Sequence, residues 1–300
     1  MNVSVVGDGP LGAVLSAGYA DLGHEVTTIG EDPSAVDRLD AGETALEEPG
    51  LDAMLSAHAG SRLRATTDYA AAAGTELTVL AVETPTAPDG SIDTDGLVAA
   101  AESLGSAIAS TDGYHLVVVK SAVLPGTVEG PLLDAIETAS GKTAGEGVGL
   151  AVNPEFQRAG SAVRDFMEPD RIVVGTDGDE RALDRLARLY EPLVVEWDVP
   201  VVETGRREAA TTRYAANAVL AAKRRVTADL RVVCDSFDVD ARAVVDAAGL
   251  ESDIAGESLT PGAGVDDRLV GDAAALLAEA DPSDSELRVI AAVADRGSNE

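Results

Sequence analysis

Apolar positions along the chain fall into two alternating patterns: short continuous runs of strand length, and longer stretches in which apolar residues recur every three or four positions. The runs are Val3–Val6, Glu25–Ile29, Arg62–Ala65, Leu77–Val82, Leu116–Val119, Val148–Val152 and Arg171–Val174. Between them the helical pattern covers Leu11–Leu22, Ser34–Leu39, Leu51–Ala59, Asp95 to about Ala109, Thr127–Ser140 and Arg181–Tyr190. Asp93, Thr94 and Asp95 precede one of these helices, and N-capping is the expected role of that cluster. Continuous apolar runs suit strands covered on both faces. Their alternation with helices predicts an α/β fold, a doubly wound parallel sheet with right-handed crossovers and a ligand at the carboxyl ends of its strands.

The pattern changes after Pro200. From Glu203 to Asp235 there is no proline and, past Gly205, no glycine, while Val219, Val226, Leu230 and Val233 recur at helical spacing. A shorter helix is expected over Ala241–Ala248, a loop at Thr260-Pro261-Gly262-Ala263-Gly264, and closing helices over Asp272–Ala280 and Glu286–Ala294. The chain therefore reads as a sheet domain over residues 1–200 and a small all-α domain over 201–300, led by one long helix that carries an apolar stripe.

The first strand feeds the turn GDGPLG, whose glycines are Gly7, Gly9 and Gly12. In a strand, turn, helix unit that spacing has a purpose: a tight turn, close backbone approach to a pyrophosphate, and close packing of helix on strand. The helix N-terminus, from Leu11 on, adds free N–H donors and a partial positive charge. A dinucleotide site follows. An acidic residue for the adenosine ribose should end the second strand, roughly 20 residues on, but that position is Gly30, followed by Glu31 and Asp32. Either Glu31 takes the task from a shifted backbone, or affinity for the dinucleotide is reduced.

Composition narrows the partners. The net charge is −31, and of 22 basic residues only Lys120, Lys142 and Lys223 are lysines. Such an acidic coat suits high salt and disfavours nucleic acid or an anionic membrane. No apolar stretch approaches the roughly 20 residues of a membrane helix and no leader-like segment precedes the first strand, so a cytoplasmic protein is expected. The single cysteine, Cys234, excludes an intramolecular disulfide, and His24, His58 and His115 lack metal-ligand spacing; no metal is expected.

The stretch VNPEFQRAGSAVRDFMEPDRIVVG, from Val152 to Gly175, carries a more specific signal. It strongly resembles the UDP-glucose/GDP-mannose dehydrogenase family. GHEVT at Gly23, EEPGL at Glu47, ETPT at Glu83, VVVKSAVLPGT at Val117, RYAANAVLAAK at Arg213 and LTPGAG at Leu259 agree in order and spacing. The resemblance implies NAD as cofactor, an N-terminal Rossmann domain with Gly7, Gly9, Leu11, Gly12, Glu31, Thr84, Ser121 and Glu155 at the cofactor, and a helical domain that dimerises through the 203–235 helix. A full-length family relative is a further partner it suggests. Family members add a third, nucleotide-gripping domain, before which this chain ends.

In that family a cysteine captures an aldehyde as a thiohemiacetal, so that an alcohol is carried to the acid with two NAD reduced. Here the residues after Gly264 are Val265-Asp266-Asp267-Arg268-Leu269-Val270-Gly271-Asp272, which places Leu269 at the nucleophile position and, with one deletion, Asp272 at the motif's final aspartate. Cys234 reads as a packing thiol on the long helix. The resemblance assigns Arg213, in place of a lysine, and Asn217 to the vestigial catalytic set; Ala122 and Ala159 replace groups that it would assign to positioning water, and Ala35 replaces a basic residue on the cofactor side. Asp266 and Asp267, in place of glycines, would oppose a diphosphate by about 1 kcal/mol or more per pair at contact distance. Two readings follow: a silent binding or partner subunit, or an NAD-dependent oxidoreductase acting on a CH–OH group, either UDP-glucose 6-dehydrogenase-like or limited to two-electron alcohol/aldehyde chemistry on another substrate.

Overall fold

The computed structural model describes residues 1–87, 90–250, 267–279 and 288–295. These comprise β1 (Asn2–Val6), α1 (Pro10–Asp21), β2 (Glu25–Ile29), α2 (Pro33–Asp40), α3 (Leu51–His58), β3 (Leu63–Thr66), β4 (Leu77–Leu80), α4 (Asp95–Ile108), β5 (His115–Val119), α5 (Pro125–Thr127), α6 (Leu133–Ser140), β6 (Val148–Val152), α7 (Ala162–Met167), β7 (Ile172–Gly175), α8 (Glu180–Trp197), β8 (Val201–Thr204), α9 (Arg206–Ser236), α10 (Ala241–Ala248), α11 (Asp267–Glu279) and α12 (Arg288–Ala294). They divide into two compact units. The first holds Met1–Pro85 and Thr94–Thr211, the second Thr86–Asp93 and Thr212 onward.

In the first unit eight strands form one sheet in the order β3-β2-β1-β4-β5-β6-β7-β8. Alternate residues of the central strands feed opposite cores. Leu116 and Val118 face one, with α1, α3 and α8; Val117 and Val119 face the other, with α4 and α6. This double burial is why the strands read as continuous apolar runs, each fully buried leucine contributing about 1.5–3 kcal/mol.

The sheet is parallel from β3 through β6, as the alternation predicts, but β7 pairs antiparallel to β6 and β8 runs parallel to β7. After β6 the chain passes through α7, whose Phe166 stacks edge-on against Tyr19 of α1 at 5.3 Å. β7 then meets β6 at the single pair Val152–Gly175, in the reversed direction.

Several boundaries differ from the expected ones. The strand β8 lies within the stretch read as the lead-in to the long helix, and the first unit runs on past Pro200 to Thr211. The expected helix over Thr127–Ser140 is interrupted by a wide turn at Val128–Leu132, where Gly130 is non-helical and Pro131 supplies no N–H. The cluster before α4 does supply its N-cap, Thr94, though without a side-chain cap bond, and Asp95 lies in the first turn, where the helix dipole favours an anion. The helix expected from Asp272 starts at Asp267, because Leu269, Val270 and Ala273 form a buried face.

In the second unit, Val219, Val226, Leu230 and Val233 of α9 are 59, 57, 36 and 45 % exposed, an unpartnered apolar stripe in the isolated chain. Among the described residues no helix is long and apolar enough to cross a membrane.

Candidate functional site

The glycine turn is built by steric necessity. Gly7 has φ +134°, and a Cβ there would lie 2.4 Å from the Ala81 carbonyl oxygen; a Cβ on Gly12 would lie 1.9 Å from that of Gly7. Both contacts are with backbone, so α1 and β4 close on the turn only because these residues lack side chains. Gly9 is different: its Cβ would meet only the Glu83 carboxylate, at 3.0 Å.

Gly9 is the N-cap of α1 and Pro10, which has no N–H, opens the helix. Ala13 N–H bonds back to the Gly9 carbonyl at 3.0 Å, which leaves Leu11 and Gly12 to present the helix's N-terminal donors.

Beside the turn lies a cavity of about 280 Å³, lined in part by Gly7, Asp8, Gly9, Gly30, Glu31 and Tyr69. It thus brings together Gly7, Gly9 and Glu31 of the expected cofactor residues. Gly30, one step past β2, is buried, and a Cβ there would lie 2.6 Å from both Cβ and Oδ2 of Asp8. Asp8 Oδ2 in turn accepts the Asp32 N–H at 2.8 Å. The neighbouring acids have other tasks: Asp32 Oδ1 caps α2 by accepting the Ser34 N–H at 2.9 Å, and Glu31 lies against the Tyr69 hydroxyl. Burial and then the Glu31 charge push the Tyr69 phenol up to about 12.

Thr84, Ser121 and Glu155 occupy the same carboxyl edge of the sheet, outside that cavity's lining. Thr84 Oγ1 donates to the Ala122 carbonyl at 2.7 Å, tying the loop after β4 to the loop after β5. Ser121 donates its hydroxyl to the Leu80 carbonyl at 3.2 Å. Glu155 is held on both oxygens: Oε1 accepts the N–H groups of Phe156 and Gln157 at 2.7 and 2.9 Å, and Oε2 lies 2.9 Å from Lys120 Nζ.

Burial works against the Lys120 charge, but the Glu155 carboxylate and the Tyr190 oxygen outweigh it and its pKa is raised. Tyr190 donates to Asn153 Oδ1 at 2.5 Å and lies 2.9 Å from the Tyr19 hydroxyl. These residues form a buried polar network at the ends of β5 and β6, in which removal of one member of the ion pair would cost about 3–5 kcal/mol. Lys120 and Asp8 were not among the expected site residues. Lys120 is one of only three lysines in the chain, and Asp8 sits inside the glycine signature itself.

In the second unit Arg213, Asn217 and Asp272 converge. Asn217 Nδ2 donates to Asp272 Oδ2, and Arg213 Nε lies 3.9 Å from the same oxygen. Leu269, one turn earlier on α11, is fully buried among Ala221, Ala273 and Val293. Cys234 is buried on α9. Asp266 and the loop signal at 260–264 lie outside the described residues; Asp267 opens α11.

The glycine cradle, the helix donors and the adjoining cavity fit a dinucleotide, with Asp8, Glu31 and Glu83 adding negative charge around it. Comparison with known proteins agrees. Residues 1–194 match the model of the UDP-glucose/GDP-mannose dehydrogenase family, NAD binding domain, and residues 207–299 that of its central domain. A UDP-glucose 6-dehydrogenase, AglM, of Haloferax volcanii is 42 % identical over 297 residues, covering 98 % of this chain and 69 % of that protein. A GDP-mannose 6-dehydrogenase of Azotobacter vinelandii is 34 % identical over 84 % of this chain and 57 % of its own length. Among solved structures, a UDP-glucose dehydrogenase from Pyrobaculum islandicum superposes with a TM-score of 0.89 at 37 % identity, over 97 % of this chain and 66 % of that one. The chain thus spans roughly three fifths to two thirds of the length of these relatives.

Proposed function

Because the chain belongs to the UDP-glucose/GDP-mannose dehydrogenase family, we propose that it is a cytoplasmic NAD-binding member that does not carry a sugar alcohol through to the acid, and that it serves as a binding or partner subunit. The observation that carries this reading is Leu269. At the position the family pattern assigns to the nucleophile stands an alkyl side chain, packed in an apolar cluster rather than presented to a substrate. The chain's one thiol, Cys234, is buried on α9. With no sulfur to trap an aldehyde, no thioester forms and the second oxidation has no covalent intermediate. The residues that remain orient rather than react: Leu11 and Gly12 offer N–H donors to phosphate, and the Lys120–Glu155 pair fixes the strand-end loops.

The cluster of Arg213, Asn217 and Asp272 favours a second reading, an NAD-dependent oxidoreductase that converts a CH–OH group to a carbonyl and stops there. A proton could be held between these polar groups without a nucleophile. The apolar stripe on α9 supports a two-fold homodimer in either case, and a full-length relative is the natural alternative occupant of the same stripe.

The test supplies UDP-glucose or GDP-mannose with NAD in molar salt and follows NADH and sugar product together. The silent subunit yields neither; two-electron chemistry yields NADH without uronate. Two NADH per uronate formed would overturn both readings. A monomer by light scattering in the same buffer would remove the dimer.

A further inference from the structure

We infer that Asp8, within the glycine turn, is the carboxylate that holds the adenosine ribose in this chain, in place of an acidic residue at the end of the second strand, and that it selects NAD over its 2′-phosphorylated form. This inference rests on the NAD-binding reading and goes further, to the residue that sets cofactor choice.

Dinucleotide folds place an acid after the second strand so that it accepts from the ribose 2′-hydroxyl. Here that place is empty of side chain, since β2 ends at Ile29 and Gly30 follows. The volume is nevertheless filled: a Cβ on Gly30 would lie 2.6 Å from Asp8 Cβ and 2.6 Å from Asp8 Oδ2. The carboxylate comes from the other side of the cleft and ends where the missing one would stand. A side chain at 30 and the Asp8 side chain exclude each other, and a Cβ at 30 would also press on Val36 Cγ2 at 2.8 Å.

Asp8 is also oriented for the task. Its Oδ2 accepts the Asp32 N–H at 2.8 Å, and a carboxylate has about four acceptor sites, so capacity remains for a ribose hydroxyl. Of the other acids nearby, Glu31 is engaged by Tyr69 and Asp32 by the N-terminus of α2, while Glu83 lies beside Gly9 at the glycine turn. Asp8, Gly30 and Glu31 line the same cavity as Gly7 and Gly9, and no lysine or arginine is among its lining residues. A 2′-phosphate placed there would face Asp8 and Glu31 with no cation to offset them.

The experiment is calorimetric titration of the full chain with NAD and with NADP in molar KCl, for the parent, Asp8→Asn, Asp8→Ala, Gly30→Asp and the double variant Asp8→Ala/Gly30→Asp. A hydrogen bond to a charged acceptor predicts about tenfold to hundredfold weaker NAD binding in Asp8→Ala, with NADP weakened less, so that the preference narrows. Asp8→Asn keeps an acceptor for the Asp32 N–H, so it should keep the parent's melting temperature and still narrow the preference. Gly30→Asp alone should weaken NAD binding and lower the melting temperature, because two side chains compete for one volume. The double variant, relieved of the Asp8 contact though not of the Val36 one, should bind NAD more tightly than either Asp8→Ala or Gly30→Asp alone. An Asp8→Ala protein that binds NAD as well as the parent overturns the inference and leaves NAD binding standing. Equal weakening of NAD and NADP in Asp8→Asn and Asp8→Ala also overturns it, because a purely structural Asp8 would not move the ratio. A parent that binds no NAD overturns the inference and the reading beneath it together.

Discussion

In the first unit two glycines of the turn are dictated by the backbone around them: a side chain at Gly12 would stand 1.9 Å from a carbonyl oxygen, and one at Gly7 2.4 Å from another. In the second, position 269 holds a leucine that packs into a small apolar cluster at no structural cost. The contrast teaches which retained residues speak for function. Gly7 and Gly12 would be required by the fold with or without a dinucleotide, whereas Leu269 is held by side-chain packing alone, which does not dictate the residue as a backbone contact does. Within the turn, only Gly9 faces a side chain rather than backbone, so Gly9 is the glycine whose presence points to a ligand.

The sharpest way to break this contrast is to fill the two kinds of glycine. Gly12→Val should abolish folding or cost more than about 4 kcal/mol, because backbone cannot retreat from the new Cβ. Gly9→Val has an ordinary φ of −79° and only Glu83 to displace, so its melting temperature should stay near the parent's while NAD binding is lost. If Gly12→Val folds and binds NAD, the steric account of the turn is wrong.

Ionic strength should act next most strongly, on both units at once. With a charge of −31, self-repulsion limits stability in dilute buffer, and molar salt shortens the Debye length to about 3 Å. The melting temperature should rise by on the order of 10 °C between 0.1 and 3 M KCl; a flat profile would show that the acidic coat is neutral to folding.

Protonation separates the units, because the first buries a histidine whose titration reports on it alone. Burial, then Arg185 and Lys142, lower the His115 pKa to about 4, and its Nε2 lies 2.8 Å from Thr78 Oγ1. The unfolded chain binds this proton near pH 6.5 and the folded chain does not, so the contribution is complete above about 6.5 and is lost as pH falls toward about 4. The loss should be on the order of 2–3 kcal/mol over that window. His115→Gln should flatten the profile there, and an unchanged slope would mean that His115 is protonated in the folded state.

The smallest effect is expected at Leu269. Leu269→Cys should cost about 1–3 kcal/mol through lost packing, and the new thiol should resist alkylation in the folded chain. Labelling at the rate of a free thiol would show that position 269 is open to solvent.

Much of this architecture is legible in the chain, and the exceptions have physical causes. Strands covered on both faces announce themselves as unbroken apolar runs, which is why β1, β5 and β6 are evident from sequence. Strand β8 is not, because Val201, Val202 and Glu203 are exposed and leave no burial pattern. Periodicity carries no direction, so the reversal of β7 and β8 could not be read from it. The break at Gly130-Pro131 was readable from proline chemistry, but the helical periodicity on either side of it dominates the window. At the site, the glycine spacing points to the cleft, while the contact between Asp8 and Gly30 depends on two loops 22 residues apart in sequence meeting in space. Residues in one turn can be assigned from spacing; a carboxylate that crosses a cleft cannot.

The last strand of the sheet has one further consequence. Among the described residues β8 has only β7 beside it, and its outer row of N–H and C=O groups is flanked by the exposed side chains of Val201 and Val202. Such a rim is a template on which another chain can add a strand. Its protection is its short length and the like charge of every copy that approaches. Near the sequence pI of about 4.2 that mutual repulsion vanishes while the rim remains, so acidification should convert a well-behaved solution into one that associates edge to edge. The acidic coat that strains the single folded chain is then also what keeps separate chains apart.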